Sequence, residues 1–478
     1  MGSVTRHDDE IVDQSQIVRK LGWDESYYDN EWMNNNLFMS RIFLLNIKHH
    51  HPITLANLNE AMHIWTRMFP LLNTTIHRQV DQKTGQFKLG SPKYFIHMKK
   101  SLYEYNNADL IDLTESNNWI DVIYNELKTP FDIINGPLWR IKLLKLKNPA
   151  WNYGFVLAKN HALGDGRCTY TFSLAYLNIL SDVLEGKVSQ YEHVTPIESK
   201  VNMDELIGKL KSNPNFKIVP KNECDHVLNR IPKNPLYKET SSKLPFDDTR
   251  LTYLKLDKEK VEHLHKESKL NAPKAKLTGI LALLTSYSYH QACLKHKLND
   301  IPLDSVQFDN LVSFRPKFGI ENGQMGVFSH CLECKFDFSQ EPKTKGDFWR
   351  LAELDSVSFH ERIRNNEEFF IYETNQDETI QNVNSNFDFA NNTYTNFMFS
   401  NLGVMSNTKE ESCVQIVEHY AFLPALANRV GPLLFFGLTT IDGQLFVAIS
   451  FNRKLFSDDL IEDLKRGFLE KVNWLIED

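Results

Sequence analysis

The sequence predicts an α/β (or α+β) protein built as two similar subdomains. Three observations carry that reading. The chain has 478 residues, too many for one compact core. Helix-period and strand-like apolar segments alternate in both halves, and each half closes near strands. Between the halves, residues 185–248 turn polar and Lys-rich, punctuated by Pro196, Pro214, Pro220, Pro232, Pro235 and Pro245, which is the composition of a crossover. The expected organisation is an N-terminal arm over 1–36, an N-terminal subdomain over 37–190, a crossover over 191–249 and a C-terminal subdomain over 250–478.

Residues 1–36 are polar and rich in Asn and Asp, and read as a loosely held arm with one short helix. Residues 41–47 read as a strand. Residues 55–68 read as an amphipathic helix, with Leu55, Leu58, Met62 and Trp65 on one side. Pro70 stops it, and a second strand starts within 69–76. Residues 119–127 are helical in pattern. The runs 138–146 and 153–160 are continuously apolar rather than alternating, which points to a sheet covered on both faces. A helix follows over 168–184.

The second half opens with a strand over 251–256, a charged helix over 258–268 and a buried helix over 277–294. Strands are predicted at 310–314, 326–338 and 397–402, with an Asn-rich exposed loop over 375–392. Asp442 and Gly443 sit between two apolar runs, 433–441 and 444–451, the signature of a hairpin with a type I′ turn. Ser457, followed by two aspartates, caps a last helix whose Leu460, Leu464, Phe468, Val472 and Leu475 face one way.

Composition excludes several classes. Hydrophobic content of 42% and charged content of 24% describe a globular protein, and a net charge of −7 argues against nucleic-acid binding. The polar, acidic first fifteen residues predict no secretion signal, and no apolar run reaches membrane-spanning length. Six scattered cysteines give no disulfide framework. Cys331 and Cys334 form a lone CxxC in a strand-like run, and the cluster His49 to His51 lacks a carboxylate or thiol at ligand spacing, so no metal is expected. A cytoplasmic monomer is the expectation. Peripheral contact with endoplasmic reticulum or lipid droplets, through the arm or the last helix, is the one membrane option.

The chemistry concentrates in His161-Ala-Leu-Gly-Asp165-Gly166-Arg167, between the strand-like run 153–158 and the helix that follows. With 17 histidines, an HxxxD tetrad occurs about once by chance, so its context carries the argument. Further landmarks follow in order: Phe69-Pro-Leu-Leu72 at the end of the first long helix, Pro130 to Arg140 ahead of the histidine, Ser313-Phe-Arg315, Ser400-Asn-Leu-Gly403 and the closing hairpin. Together they resemble the CoA-dependent acyltransferases related to chloramphenicol acetyltransferase and to peptide-synthetase condensation domains. The HxxxDGR form is most similar to the fungal alcohol acetyltransferase family. The resemblance runs from about residue 38 to about residue 475; the crossover and the Asn-rich loop match poorly, and the plant-type DFGWG signature is absent.

That resemblance implies two chloramphenicol-acetyltransferase-like subdomains, each a mixed sheet flanked by helices, with an active-site tunnel at their interface. It implies acetyl-CoA as co-substrate, entering by an open channel without a short phosphate motif. It makes His161 the general base. It turns Asp165 away from the pocket to pair with Arg315, where the residues alone also allow an orienting, triad-like role. Ser400 and Asn401 become candidate donors to the developing oxyanion, although Ser-Asn before Gly is equally a turn. Gly164 and Gly166 suit a loop passing close to a ligand. Arg167 and Thr278 read as structural contacts.

The residues make chemical sense in those roles. An imidazole with an ordinary pKa of about 6.5 can be neutral and accept a proton from an attacking hydroxyl or amine. A thioester is already activated, which agrees with the absence of a GxSxG elbow and of a convincing cysteine nucleophile. The function expected is transfer of acetyl from acetyl-CoA to the hydroxyl of a small or lipophilic alcohol, directly and without a covalent enzyme intermediate. The alternatives are N-acetylation of a lipid-like amino alcohol, and a non-catalytic or carrier-protein-fed condensation-like paralogue.

Overall fold

The computed structural model describes residues 17–28, 38–78, 92–98, 108–214, 216–217, 249–297, 304–338, 342–369, 371–373, 395–425 and 434–477. The Asn-rich loop expected over 375–392 lies outside them. In chain order the N-terminal half contains β1 (Ile17–Lys20), α1 (Trp23–Tyr28), β2 (Phe38–Ile47), α2 (Leu55–Met68), β3 (Thr74–His77), β4 (Tyr94–His97) and β5 (Ala108–Asp112). It continues through α3 (Trp119–Lys128), β6 (Trp139–Lys145), β7 (Tyr153–Asn160), α4 (Gly166–Leu184) and α5 (Met203–Lys211). The second half contains β8 (Thr249–Leu256), α6 (Lys258–Asn271), α7 (Leu277–Lys295), β9 (Ser305–Ser313), β10 (Ser329–Asp337) and α8 (Lys345–Arg364). It ends with β11 (Phe397–Met405), β12 (Val414–Phe422), β13 (Leu434–Ile441), β14 (Gln444–Asn452) and α9 (Asp458–Ile476).

Two mixed sheets flanked by helices dominate, as the sequence predicts. One has five strands in the order β12-β2-β7-β6-β5, the other six in the order β10-β9-β11-β13-β14-β8. A small third sheet, β1-β4-β3, brings the N-terminal strand onto the body. The halves are laced together by β12, which comes from the second half yet pairs antiparallel with β2 of the first, from Val414↔Ile47 to Phe422↔Ser40. Its Tyr420 ring meets both Trp119 of α3 and Phe446 of β14.

Local chemistry explains the elements that place the site. β7 is buried at every position after Tyr153, as a strand needs to be when it lies between two neighbours and is covered on both faces. Beneath it, Trp65 of α2 packs edge-on to Trp139 and to Tyr176 of α4, while Phe155 stacks on Tyr176. The indole N–H groups are satisfied inside this core, Trp65 donating to the Phe172 carbonyl at 2.7 Å and Trp139 to that of Leu72 at 2.8 Å. The β13–β14 turn has positive φ at both Asp442 and Gly443, as a type I′ turn requires. The stripe Leu460, Leu464, Phe468, Val472 and Leu475 of α9 is buried in the second core, against α7.

Differences from the sequence reading have physical reasons. Residues 17–28, expected in a loose arm, are pinned by the buried pair Arg19–Glu25. α8 buries only a narrow set, Phe348, Trp349, Ala352 and Ser356, and its charged remainder masks it. β12 carries a register shift between Ile416 and Glu418, which breaks the alternation that would otherwise reveal a strand.

Candidate active site

β7 ends at Asn160, whose side-chain Oδ1 accepts from Ala162 N at 2.9 Å and so caps a single 3₁₀ turn, His161–Leu163. His161 is thereby set at the end of a central strand, 7% exposed. α1 packs directly against this turn. The chain then passes Gly164, where an added Cβ would collide with Cys168 Sγ, and Gly166, where it would lie 2.7 Å from Leu402 Cδ2. Both glycines thus leave room for a close approach of neighbouring side chains.

Asp165 caps α4, its Oδ1 accepting from Cys168 N at 2.9 Å. Its Oδ2 accepts from Arg315 Nε at 2.9 Å and from Phe328 N at 3.1 Å, and Arg315 Nη2 lies 2.8 Å away. Residue and partner are each 2% exposed. The guanidinium also donates to the carbonyls of Glu321, Gln324 and Gly326. Burial pushes the Asp165 pKa up, but Arg315 and the two backbone N–H groups hold it below its ordinary value. The carboxylate therefore stays charged, and its hydrogen bonds tie two halves of the chain together.

Two further cations lie under the loop. Lys159, fully buried in β7, donates through Nζ to the Gly164 carbonyl at 2.6 Å. Burial first, and then Arg41, push its pKa down to about 7. Arg41 of β2, equally buried, donates through Nη2 to the Gly166 carbonyl at 3.3 Å; burial pushes its pKa down to about 10. Its Nε and Nη1 have no hydrogen-bond partner. This surrounding decides the state of His161. Burial is the largest effect and the Lys159 charge the next, and together they push its pKa down to about 3 against the opposing pull of its own backbone hydrogen bond and of Asp165. The imidazole is neutral at neutral pH. Cys168, in the first turn of α4, is pushed up to about 11 by burial and by Asp165, so it stays a thiol rather than a nucleophilic thiolate.

From the second half, β11 reaches the same place. Its register against β13 shifts between Asn401 and Val404, and the resulting bulge carries Leu402 and Gly403 against α4. Arg167 Nη2 donates to the Leu402 carbonyl at 2.9 Å. Asn401 turns its amide inward along the chain, accepting from Gly403 N at 2.9 Å and donating to Thr278 Oγ1 at 3.1 Å. Ser400, next in β11, is partly exposed and pairs in register with Gly437. The structure thus brings together the His161 loop, Arg315, Arg167, Asn401 and Thr278.

Residues singled out for other reasons lie elsewhere. Cys331 and Cys334 sit in β10, and burial pushes both thiols up. His49 Nε2 lies 2.9 Å from the Leu184 carbonyl, which can only accept from it. Among the described residues, no group of three or more His, Cys, Asp or Glu is placed to hold a metal ion. Sequence reasoning missed Lys159, Arg41, Gly326 and Glu25. For the first two a signal existed, since a charge inside an apolar strand demands a buried partner. For Gly326, which acts through its backbone carbonyl, none did.

No family model and no curated protein sequence matches the chain. Solved structures do. The first condensation domain of the CDA synthetase is 12% identical, with 96% of each chain covered and a TM-score of 0.65. A trichothecene 15-O-acetyltransferase from Fusarium sporotrichioides is 11% identical, with 95% of each chain covered and a TM-score of 0.63. Polyketide synthase associated protein 5 from Mycobacterium tuberculosis is 11% identical, covering 97% of this chain and 98% of its own, with a TM-score of 0.59. At such identities the likeness speaks for the fold alone: this chain has, over nearly its whole length, the two-subdomain fold of condensation domains and chloramphenicol-acetyltransferase-like proteins.

Proposed function

We propose that this protein is a CoA-dependent acyltransferase, moving acetyl from acetyl-CoA to the hydroxyl of a small or lipophilic alcohol at the interface of its two halves. The observation that carries this reading is a buried histidine, kept neutral by its surroundings, on a loop locked from both halves of the chain. A neutral imidazole is the form that can take a proton.

In this reading His161 accepts the hydroxyl proton as the acceptor oxygen bonds to the thioester carbonyl carbon. The carbonyl oxygen gains negative charge. Of the two candidate donors to it, the Asn401 amide gives one of its two N–H groups to Thr278, and the Ser400 hydroxyl is the other candidate. The C–S bond then breaks, and His161 returns its proton to the departing sulfur. No bond to the enzyme forms, in keeping with a Cys168 thiol held protonated. Asp165 and Arg315 act on the loop rather than on the substrate. The 15-O-acetyltransferase among the structural neighbours supports an oxygen acceptor.

The test is thiol release from acetyl-CoA with alcohols, sterols and long-chain amines, with products identified by mass. An acetyl ester of an alcohol supports the proposal. An acetamide moves the reading to N-acetylation. Binding of neither CoA nor acceptor favours a carrier-fed or non-catalytic protein.

A further inference from the structure

We propose that the N-terminal segment 17–28 belongs to the site, with Glu25 as a positioning residue for the His161 loop; this rests on the acyltransferase reading above. Successive hydrogen bonds hold the segment Met325–Phe328 from two sides. The Gly326 carbonyl accepts from Asp165 N at 3.2 Å and from Arg315 Nη2 at 3.1 Å. Phe328 N donates to Asp165 Oδ2 at 3.1 Å. Gly326 also forms a parallel bridge with Gly164. These contacts face the histidine loop. Between them, Val327 N donates to Glu25 Oε1 at 3.3 Å. The 326 carbonyl and the 327 N–H belong to one trans peptide and point opposite ways, so the loop grips the segment at 326 and 328 while Glu25 grips it at 327.

Glu25 is itself fixed. Arg19 holds both of its oxygens in a two-pronged bond, 2.6 Å each, and Gly22 N donates to Oε2 at 2.9 Å. Arg19 Nε donates to the Ser199 carbonyl at 2.9 Å, and the Ser199 hydroxyl donates in turn to the Met325 carbonyl. The clasp therefore returns to the segment it holds. An added Cβ at Gly326 would lie 2.8 Å from the Phe328 ring and 3.3 Å from Arg19 Nη2, so the guanidinium of the clasp lies directly against the segment. With α1 also packed on the His161 turn, residues 17–28 bear on the base both directly and through the partners of Asp165.

Two variants test this. Glu25→Asp keeps the charge facing Arg19 but withdraws the carboxylate from Val327 by one methylene. Arg19→Met combined with Glu25→Gln removes both charges, so that neither is left buried alone. The readouts are amide hydrogen exchange and, with the acceptor that wild type turns over, kcat against KM for acetyl-CoA. The expected result is faster exchange at Asp165 and Phe328 with the β13–β14 hairpin unchanged, and kcat lower by about 10- to 100-fold, the range a displaced catalytic group produces, at unaltered KM. Combining Glu25→Asp with Asp165→Asn lowers kcat by less than the product of the two separate effects. Wild-type exchange at Asp165 and Phe328 in folded variants overturns the proposal, as does acceleration spread evenly over the molecule, which marks global loss of stability. If wild type turns over no acceptor, the acyltransferase reading fails, while the exchange arm still decides whether Glu25 holds the loop.

Discussion

Replacing Asp165 by asparagine changes one charge and almost nothing of the shape, and so isolates what holds the histidine loop. In the wild type every partner of the carboxylate is a donor: Arg315 through Nε at 2.9 Å, Phe328 N at 3.1 Å and Cys168 N at 2.9 Å. Whichever way an asparagine amide turns, its NH₂ meets one of these donors, and Arg315 is left charged and 2% exposed with no carboxylate on it. Breaking one side of a buried ion pair costs about 3–5 kcal/mol. At a urea slope of about 3 kcal/mol per M, the unfolding midpoint should fall by about 1 M or more. Urea titration followed by tryptophan fluorescence measures this. The sign with pH is fixed as well. The folded-state pKa of Asp165 lies below its ordinary 3.8, so its stabilisation is complete above that value and is lost as pH falls through the lower one. The gap between wild type and Asp165→Asn should therefore close in acid. A midpoint for the variant within about 0.2 M of wild type, equivalent to well under 1 kcal/mol on the same slope, would refute the structural role of the pair.

Other consequences follow from the same geometry. Gly164→Ala drives a methyl into Cys168 Sγ, and should cost about 1–3 kcal/mol, the usual range for overpacking, with the loss of stability read in the same titration. Lys159, pushed from 10.5 down to about 7, destabilises the fold while both states are protonated, so its contribution to stability should rise between pH 7 and 10.5; Lys159→Met lacks that contribution, and the difference in denaturation midpoint between wild type and variant at pH 7 and at pH 10 checks it. The same variant lifts one of the charges depressing His161, so any acid limb in the pH dependence of kcat/KM should move upward. For wild type, with His161 pushed down to about 3, no limb near pH 6.5 is expected in kcat/KM. Ser400→Ala should lower kcat by about 10²–10³ if its hydroxyl serves the oxyanion, and steady-state kinetics at saturating acetyl-CoA would show it.

Local chemistry made much of this molecule legible. The continuous apolar run of β7, the capping serine of α9 and the Asp442–Gly443 turn each declare themselves within ten residues, because strand burial, a helix N-terminus and a positive-φ turn all act at short range. The strand–turn–helix setting of the stretch from His161 to Gly166 was readable for the same reason. What escaped is long-range. β12 finds its partner in β2, with Val414 opposite Ile47 and Phe422 opposite Ser40, and nothing in its own pattern names that partner. α8 carries a capping box at Thr344 and Asp347, a local signal, but its thin apolar stripe gave it little weight. Glu25 and Gly326 enter only through the fold, Glu25 by accepting from the Val327 N–H and Gly326 by offering its carbonyl to Asp165 N and Arg315, backbone groups that any residue would supply. Arg41 and Lys159 stand between these cases: as charges in apolar strands they advertise a buried role, while their acceptors, the carbonyls of Gly166 and Gly164, have no side-chain signature.

The central claim is that His161 serves as the base in transfer from acetyl-CoA, and acceptor-dependent thiol release by wild type and by His161→Ala tests it most directly. The imidazole is uncharged, and the Asp165–Arg315 pair and Arg167 remain to lock the loop, so the variant should remain folded by circular dichroism. Its release rate should fall by about 10²–10⁴, the range for loss of a general base, with the acetylated product disappearing in parallel. A folded His161→Ala protein that releases thiol and forms product at the wild-type rate would contradict the account.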